Sequence, residues 1–384
     1  MTLHTAVSLD PPPTAPKPAF VALGENPVRV FGLDARTRAE RIAGNLGLEV
    51  VRSPGKDRAH ILADLGFAWD PAWLKAISDR PGTVLTLGGQ PLLAHLPASQ
   101  AAHPIVEAMR RGASADGLGL DLLAAETGEL NYAELRKRAR PFAMPLEPST
   151  ATRVERAAYD ASYKGVTDAL TLYLWRRPAF HLTRWSAAAG ITPNFVTLVG
   201  FVFCLAAFGL FWEGYYWSGL ASGFVFMVLD TVDGKLARCT GQSSKWGNIL
   251  DHGVDLIHPP FWWWAWAHGL DGIGVPIEPV FKMLVLGAIV SGYILQRVIE
   301  GIFLARFSMD QHVWRPFDSR FRLITARRNP NMAILFVSLI FARPDIGIEM
   351  VALWTILSLI VHAVRLAQAN ARAERGRKII SWLA

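Results

Sequence analysis

The feature that most constrains this chain is a succession of long apolar stretches between residues 191 and 370. In hydrocarbon a backbone N–H or C=O without a partner is costly, so such segments must close their hydrogen bonds internally, as helices. A crossing helix needs about 20 residues. Six segments approach that length or apolarity, at 195–212, 215–238, 247–268, 278–300, 331–342 with its neighbours, and 347–368. The third and fifth are the least apolar. Charge tests the set. The connection 306–330 carries Arg306, Arg315, Arg320, Arg322, Arg327 and Arg328, and the end of the chain carries Arg365, Arg372, Arg375, Arg377 and Lys378. The opposite connections, around 213, 269–278 and 343–346, hold Arg343 alone. Basic residues stay on the cytosolic side, which predicts cytosolic termini and an even number of spans, here six, in a bacterial-type inner membrane.

The first half reads differently. Residues 1–19 are proline-rich with no basic start and apolar core, and are expected to be a disordered lead rather than a signal peptide. From 20 to 140, short apolar runs alternate with amphipathic ones. Val28–Phe31 and Thr83–Leu87 read as strands, Ala35–Leu46 and Pro71–Ile77 as helices, and Leu92–Leu96 after Gly88-Gly89 as the return of a hairpin. Residues 141–152 look like a proline-punctuated linker. The stretch 153–190, with Trp175, Arg176, Arg177, Arg184 and Trp185, reads as helix lying at the headgroup level. The expected fold is mainly α: a six-helix transmembrane domain over 191–370, preceded by a small soluble α/β domain and followed by a basic cytosolic tail, 371–384. The net charge of +7 sits around apolar segments, which favours a lipid bilayer over nucleic acid as partner. Cys204 and Cys239 lack metal-ligand spacing and are expected to be unpaired thiols.

Acids inside the apolar half carry the chemistry. Asp230 and Asp233 are three apart on one predicted helix, and Asp251 and Asp255 four apart on the next, so each pair shares a helix face. Two adjacent helices can then present four carboxylates to one point. Ionisable groups at membrane depth usually serve a pathway or a site. Hard oxygen ligands without suitably spaced Cys or His favour Mg²⁺ or Mn²⁺ over zinc. Gly234 and Ala237 leave a shallow groove beside the acids, Arg238 offers phosphate a fixed charge, and Gly247 opens the facing helix. A helix pair with incidental acids and small packing residues is the competing explanation, and four acids at this spacing weigh against it.

The run Asp230-x-x-Asp233-Gly234-x-x-Ala237-Arg238, then eight residues, Gly247, Asp251 and Asp255 fills every position of the signature of the CDP-alcohol phosphotransferases, also called CDP-alcohol phosphatidyltransferases. Thr192-Pro193-Asn194 with Thr197 is similar to that family's entry into its first helix. The resemblance, over about 180–370, implies a dimeric six-helix membrane enzyme that moves a phosphoalcohol from a CDP-linked donor to a hydroxyl acceptor and releases CMP. It implies two ions, Mg²⁺ or Mn²⁺, on Asp230, Asp233 and Asp251, with Asp255 a further ligand or the general base. Gly234, Ala237, Arg238 and Gly247, with Asn194 and Thr197, would line the CDP pocket. Acceptor recognition falls on Arg315, Arg320, Arg327 and Arg328, for which plain positive-inside anchoring competes equally.

The donor expected is CDP-diacylglycerol, in phospholipid biosynthesis. The alternatives are a soluble CDP-polyol such as CDP-inositol with a polyol-phosphate or lipid-alcohol acceptor, and, in another class, an inactive scaffold or ion transporter. Residues 20–140 resemble a nucleotidyltransferase-like α/β domain, through Ala35–Leu46 with Glu49–Val51 and through Ile61–Asp64 with Asp70–Trp73. Only Gly24-Glu25 stands where its glycine-rich phosphate loop belongs, so a degenerate domain is expected.

Overall fold

A computed structural model describes residues 17–384 except Lys56, Ala133, Glu134, Ser243 and Ser244; the side chains of Asn131, Lys245, Trp246 and residues 248–252 also lie outside the described set. The expected disordered lead therefore falls almost wholly outside it. The chain divides into two compact units, one formed by residues up to 28, 34–128 and 141–151, the other by 29–33, 129–140 and 152–384.

The first unit is built on a mixed six-stranded sheet, in the order 49–50, 19–23, 60–64, 90–96, 83–87, 121–124. The first three strands run parallel, 60–64 and 83–87 both run antiparallel to 90–96, and 121–124 runs parallel to 83–87. Gly88-Gly89 turns the expected hairpin with positive φ at both residues, a conformation glycine adopts without strain. Helices α1 (Ala35–Asn45) and α2 (Pro71–Ser78) start where the sequence stops them fraying. The Asp34 and Asp70 carboxylates accept the backbone N–H groups of Thr37 and Ala72, at 2.8 and 2.9 Å. Helix α3 (His103–Arg111) ends on a left-handed Gly112 and packs Ile105 and Met109 onto Leu62, Val84 and Ala94 of the sheet. The linker expected at 141–152 differs: Ala143–Pro145 pairs antiparallel with Phe67–Trp69 and belongs to this unit. The strand expected at Val28–Phe31 is only Arg29–Val30.

The second unit is mostly helical. It has α4 (Ala151–Ala161), α5 (Arg176–Ala188), α6 (Pro193–Trp212), α7 (Tyr216–Thr240), α8 (Lys245–Gly272), α9 (Pro279–Phe307), the short α10 (Pro316–Phe321), α11 (Arg328–Ile340) and α12 (Pro344–Glu374). Three of these, α6, α9 and α12, are long and apolar enough to cross a membrane among the described residues. Their outer faces keep large apolar side chains exposed, such as Leu198 and Leu205 on α6, Met283 and Leu284 on α9, and Ile356 and Ile360 on α12. A surface of that kind belongs against lipid rather than water.

Helix α6 packs along both α7 and α8, and α9 pairs with α12. Glycines permit the close crossings. A Cβ on Gly292 would stand 2.6 Å from the Thr355 methyl, and one on Gly347 2.2 Å from Ser338 Oγ. By composition Trp262, Trp263, Trp264 and Trp266 of α8 read as interface or lipid-facing aromatics rather than a ligand cage, and the structure departs from that reading. Trp262, Trp263 and Trp266 are fully buried, and only Trp264 is exposed. Trp262 Nε1–H donates to the Cys204 carbonyl at 3.1 Å, and Trp266 Nε1–H to that of Pro344 at 3.0 Å. Trp262 and Trp266 thus bury their rings and still satisfy their one donor, which makes them core material rather than an interface belt.

Candidate active site

The site is assembled by three helices. Thr192 caps α6, its hydroxyl accepting the Phe195 N–H at 3.3 Å, and Pro193 fixes the first turn. One turn later, Thr197 Oγ1–H donates to Asp233 Oδ2 at 2.6 Å. The other oxygen of Asp233 accepts the Gly234 N–H at 2.5 Å, so both oxygens of this buried carboxylate are aimed by neighbours. Thr197, Gly200, Phe226, Asp230, Asp233 and Val254 line one small cleft between α6, α7 and α8.

The carboxylates differ in access. Asp233 is 4% exposed, the Asp230 side chain 17% and the Asp255 side chain 44%. Asp255 is therefore the described acid best reached by an incoming group. The side chain of Asp251 lies outside the described residues, although its backbone sits in α8 on the turn before Asp255. A guanidinium joins the cluster from a distant part of the chain. Arg328 Nη1 donates to Asp255 Oδ1 at 2.6 Å and Nη2 to Asp230 Oδ2 at 2.7 Å.

The other candidates are distributed around this centre. Gly234 is half-buried, and a Cβ there would lie 3.1 Å from Arg238 Nη2, so the absence of a side chain leaves room for that arginine. Arg238 and Asn194 are exposed, and Ala237 and Gly247 are half-buried. Lys235, one residue from the glycine, turns away from the cleft. It is buried, with Nζ 3.3 Å from the centre of the Tyr163 ring and 3.0 Å from the Ser162 carbonyl. His258 packs between Phe226 and Trp262, and its Nδ1–H donates to the Val254 carbonyl at 2.6 Å. The side chain of His252 lies outside the described residues.

The four arginines expected to meet the acceptor part company. Arg328 reaches the acids. Arg327 Nη2 lies 2.7 Å from both oxygens of Glu300 and 3.3 Å from His312 Nε2. Arg315 stands at the start of α10 over the Trp314 ring, and Arg320 is exposed. Two arginines that were not singled out lie close to Arg327. Arg297 pairs with Glu300 at 3.1 Å, and Arg322 is buried; Nε and Nη2 of the first, and Nε and Nη1 of the second, have no hydrogen-bond partner. Burial and the neighbouring Arg327 charge push the Arg322 guanidinium down to about 9. Glu300, His312 and His362 bring their ligand atoms within 4.8 Å of one another. The Arg327 guanidinium donates to Glu300 there, so the trio sits within an ion-pair network.

With that geometry in place, comparison with known proteins decides the family. The sequence model of the CDP-alcohol phosphatidyltransferase family matches residues 190–379. That part of the chain belongs to this family. It includes α6–α12, all four aspartates and the arginine cluster, and it leaves the α/β unit unassigned. An archaetidylinositol phosphate synthase from Pyrococcus horikoshii is 28% identical over 204 residues, 52% of this chain and 95% of that protein. A phosphatidylinositol phosphate synthase from Mycolicibacterium smegmatis is 32% identical over 111 residues, 26% of this chain and 50% of that protein. Cholinephosphotransferase 1 from Gallus gallus is 31% identical over 138 residues, 32% of this chain and 39% of that protein. The chain thus matches half or less of the length of the last two. A CDP-alcohol phosphotransferase, a membrane enzyme transferring substituted phosphate groups, is the activity these findings give the chain.

Proposed function

We propose that this CDP-alcohol phosphotransferase takes CDP-diacylglycerol as donor and a phosphorylated polyol as acceptor, making an anionic phospholipid. The observation that carries the reading is the set of unpartnered N–H groups on Arg297 and Arg322, buried beside Arg327. Buried guanidinium donors without partners are costly, and a phosphate dianion is the group whose geometry satisfies them. Similarity to synthases of archaetidylinositol phosphate and phosphatidylinositol phosphate points the same way. A lipid donor suits the cleft, because its wall on α6 continues into the exposed apolar Phe201, Val202 and Leu205.

In this reading Asp230, Asp233 and Asp251 hold divalent ions, Mg²⁺ or Mn²⁺, and the all-carboxylate donor set suits such hard cations. The ions would supply positive charge to the donor pyrophosphate. Thr197 and the Gly234 N–H keep Asp233 aimed. Gly234, Ala237, Arg238 and Gly247 border the nucleotide. Asp255, the most exposed of the described acids, takes the proton from the acceptor hydroxyl as its oxygen attacks the phosphorus bearing diacylglycerol; the bond from that phosphorus to CMP breaks. Helices α6 to α9, the shorter α11 and α12 would span the membrane in a homodimer, with both termini and the site on the cytosolic face.

The test is a matrix of donors and acceptors with purified protein in lipid micelles. CMP release should require CDP-diacylglycerol together with a polyol phosphate, and the unphosphorylated polyol should serve poorly. Equal rates with and without the acceptor phosphate would remove the arginine argument. Turnover of a CDP-polyol onto a lipid alcohol would reverse the assignment of donor.

A further inference from the structure

Arg328 is the first residue of α11, and its side chain is only 12% exposed. A cation at that position opposes the helix dipole, which favours negative charge at a helix N-terminus. The helix therefore gives no reason for the arginine, and the carboxylates do. The two Nη groups bridge Asp230 of α7 and Asp255 of α8, while Nε donates to Asn329 Oδ1 at 3.0 Å. The guanidinium plane is held 4.9 Å from the centre of the Phe226 ring, one turn before Asp230. Asn329 is itself fixed, its amide donating to Asp168 Oδ1 at 3.0 Å and to Thr171 Oγ1 at 3.1 Å. Only a planar fork reaches acids on two helices at once; an ammonium is a single point charge.

We propose that Arg328 is a built-in counter-cation of the carboxylate cluster, competing with divalent ions for Asp230 and Asp255 and so setting how tightly the site holds them. The inference rests on the metal role proposed above. A carboxylate oxygen engaged by a charge-assisted hydrogen bond offers less negative potential to a second cation, and the arginine's own charge repels that cation at short range. Metal entry and release are then linked to movement of one side chain, and Asp255 has a defined partner whenever it is not engaged elsewhere.

The experiment is a titration of the purified full chain with Mn²⁺ alone, reading the free-ion signal by electron paramagnetic resonance. Arg328→Gln should bind Mn²⁺ about tenfold more tightly than the unaltered protein, the scale on which groups around metal ligands act. Arg328→Lys should fall between, since its ammonium engages the acids less fully; it carries the same test if the glutamine variant does not fold. Unchanged or weaker binding in folded variants would overturn the proposal and make Arg328 an organiser of the ligands. Failure of every protein, including the unaltered one, to bind Mn²⁺ would overturn the metal site itself, and this inference with it.

Discussion

At the scale of single residues, the candidate site contains groups that aim the carboxylates as well as the carboxylates themselves. Thr197 illustrates this. The family resemblance implies that it lines the nucleotide pocket at the entry of α6; it does line the cleft, and its hydroxyl donates to Asp233 at 2.6 Å. Thr197→Val keeps the shape and removes the hydrogen bond, so metal affinity and kcat/KM should both fall, by about 10- to 100-fold. Thr197→Ser should retain most of both. A fall in Mn²⁺ binding and turnover for Thr197→Ser with Thr197→Val unaffected would mean that the methyl group, not the hydroxyl, matters, and equal behaviour of the two would remove the hydrogen bond as the cause. The acids themselves were legible because they sit three and four residues apart in apolar segments, which local spacing reveals. Arg328 was legible only as a cation, because its partners lie 73 and 98 positions away and no local pattern encodes them.

At the scale of elements, caps and turns were the most readable features. Asp34, Asp70, Thr192 and the Gly88-Gly89 turn act through neighbours within three residues, and the helices and hairpin follow them closely. Strand pairing over long separations was not readable, and Ala143–Pro145 shows why: its partner, Phe67–Trp69, lies far back in the chain. The α8 tryptophans failed for a different reason. Aromatic composition is the same for a membrane-interface belt and for a packed helical core, and only the facing helices decide between them. Those facings yield a prediction with opposite signs on one helix. Gly292→Ala drives a Cβ into Thr355 and should destabilise the helical unit by about 1–3 kcal/mol. Gly287→Ala, with nothing within 4 Å, should be neutral or stabilise by up to about 1 kcal/mol. Thermal unfolding of the two variants in the same detergent measures the difference. Equal losses would refute the close α9–α12 crossing.

At the scale of the whole molecule, the chain joins a helical unit that carries the family match to an α/β unit outside that match. The loop after the first strand of the α/β unit bears on the resemblance to nucleotidyltransferases. Arg36 donates to the Ala22 and Gly24 carbonyls, and the Asn26 amide donates to those of Leu65 and Leu146. These bonds tie the segment to the unit's own backbone, in the place where an open phosphate loop would be needed. We propose that the CDP-alcohol chemistry resides in the helical unit, with its centre in the acids of α7 and α8. The most direct measurement of that claim is CMP release and CDP-donor affinity, determined together for the unaltered protein and Asp255→Asn, with Mn²⁺ and with excess chelator. The account predicts turnover only with metal, and an Asp255→Asn protein that still binds donor but turns over about 10²- to 10⁴-fold more slowly, as loss of a general base implies. Undiminished turnover by that variant, or full activity in chelator, would contradict it.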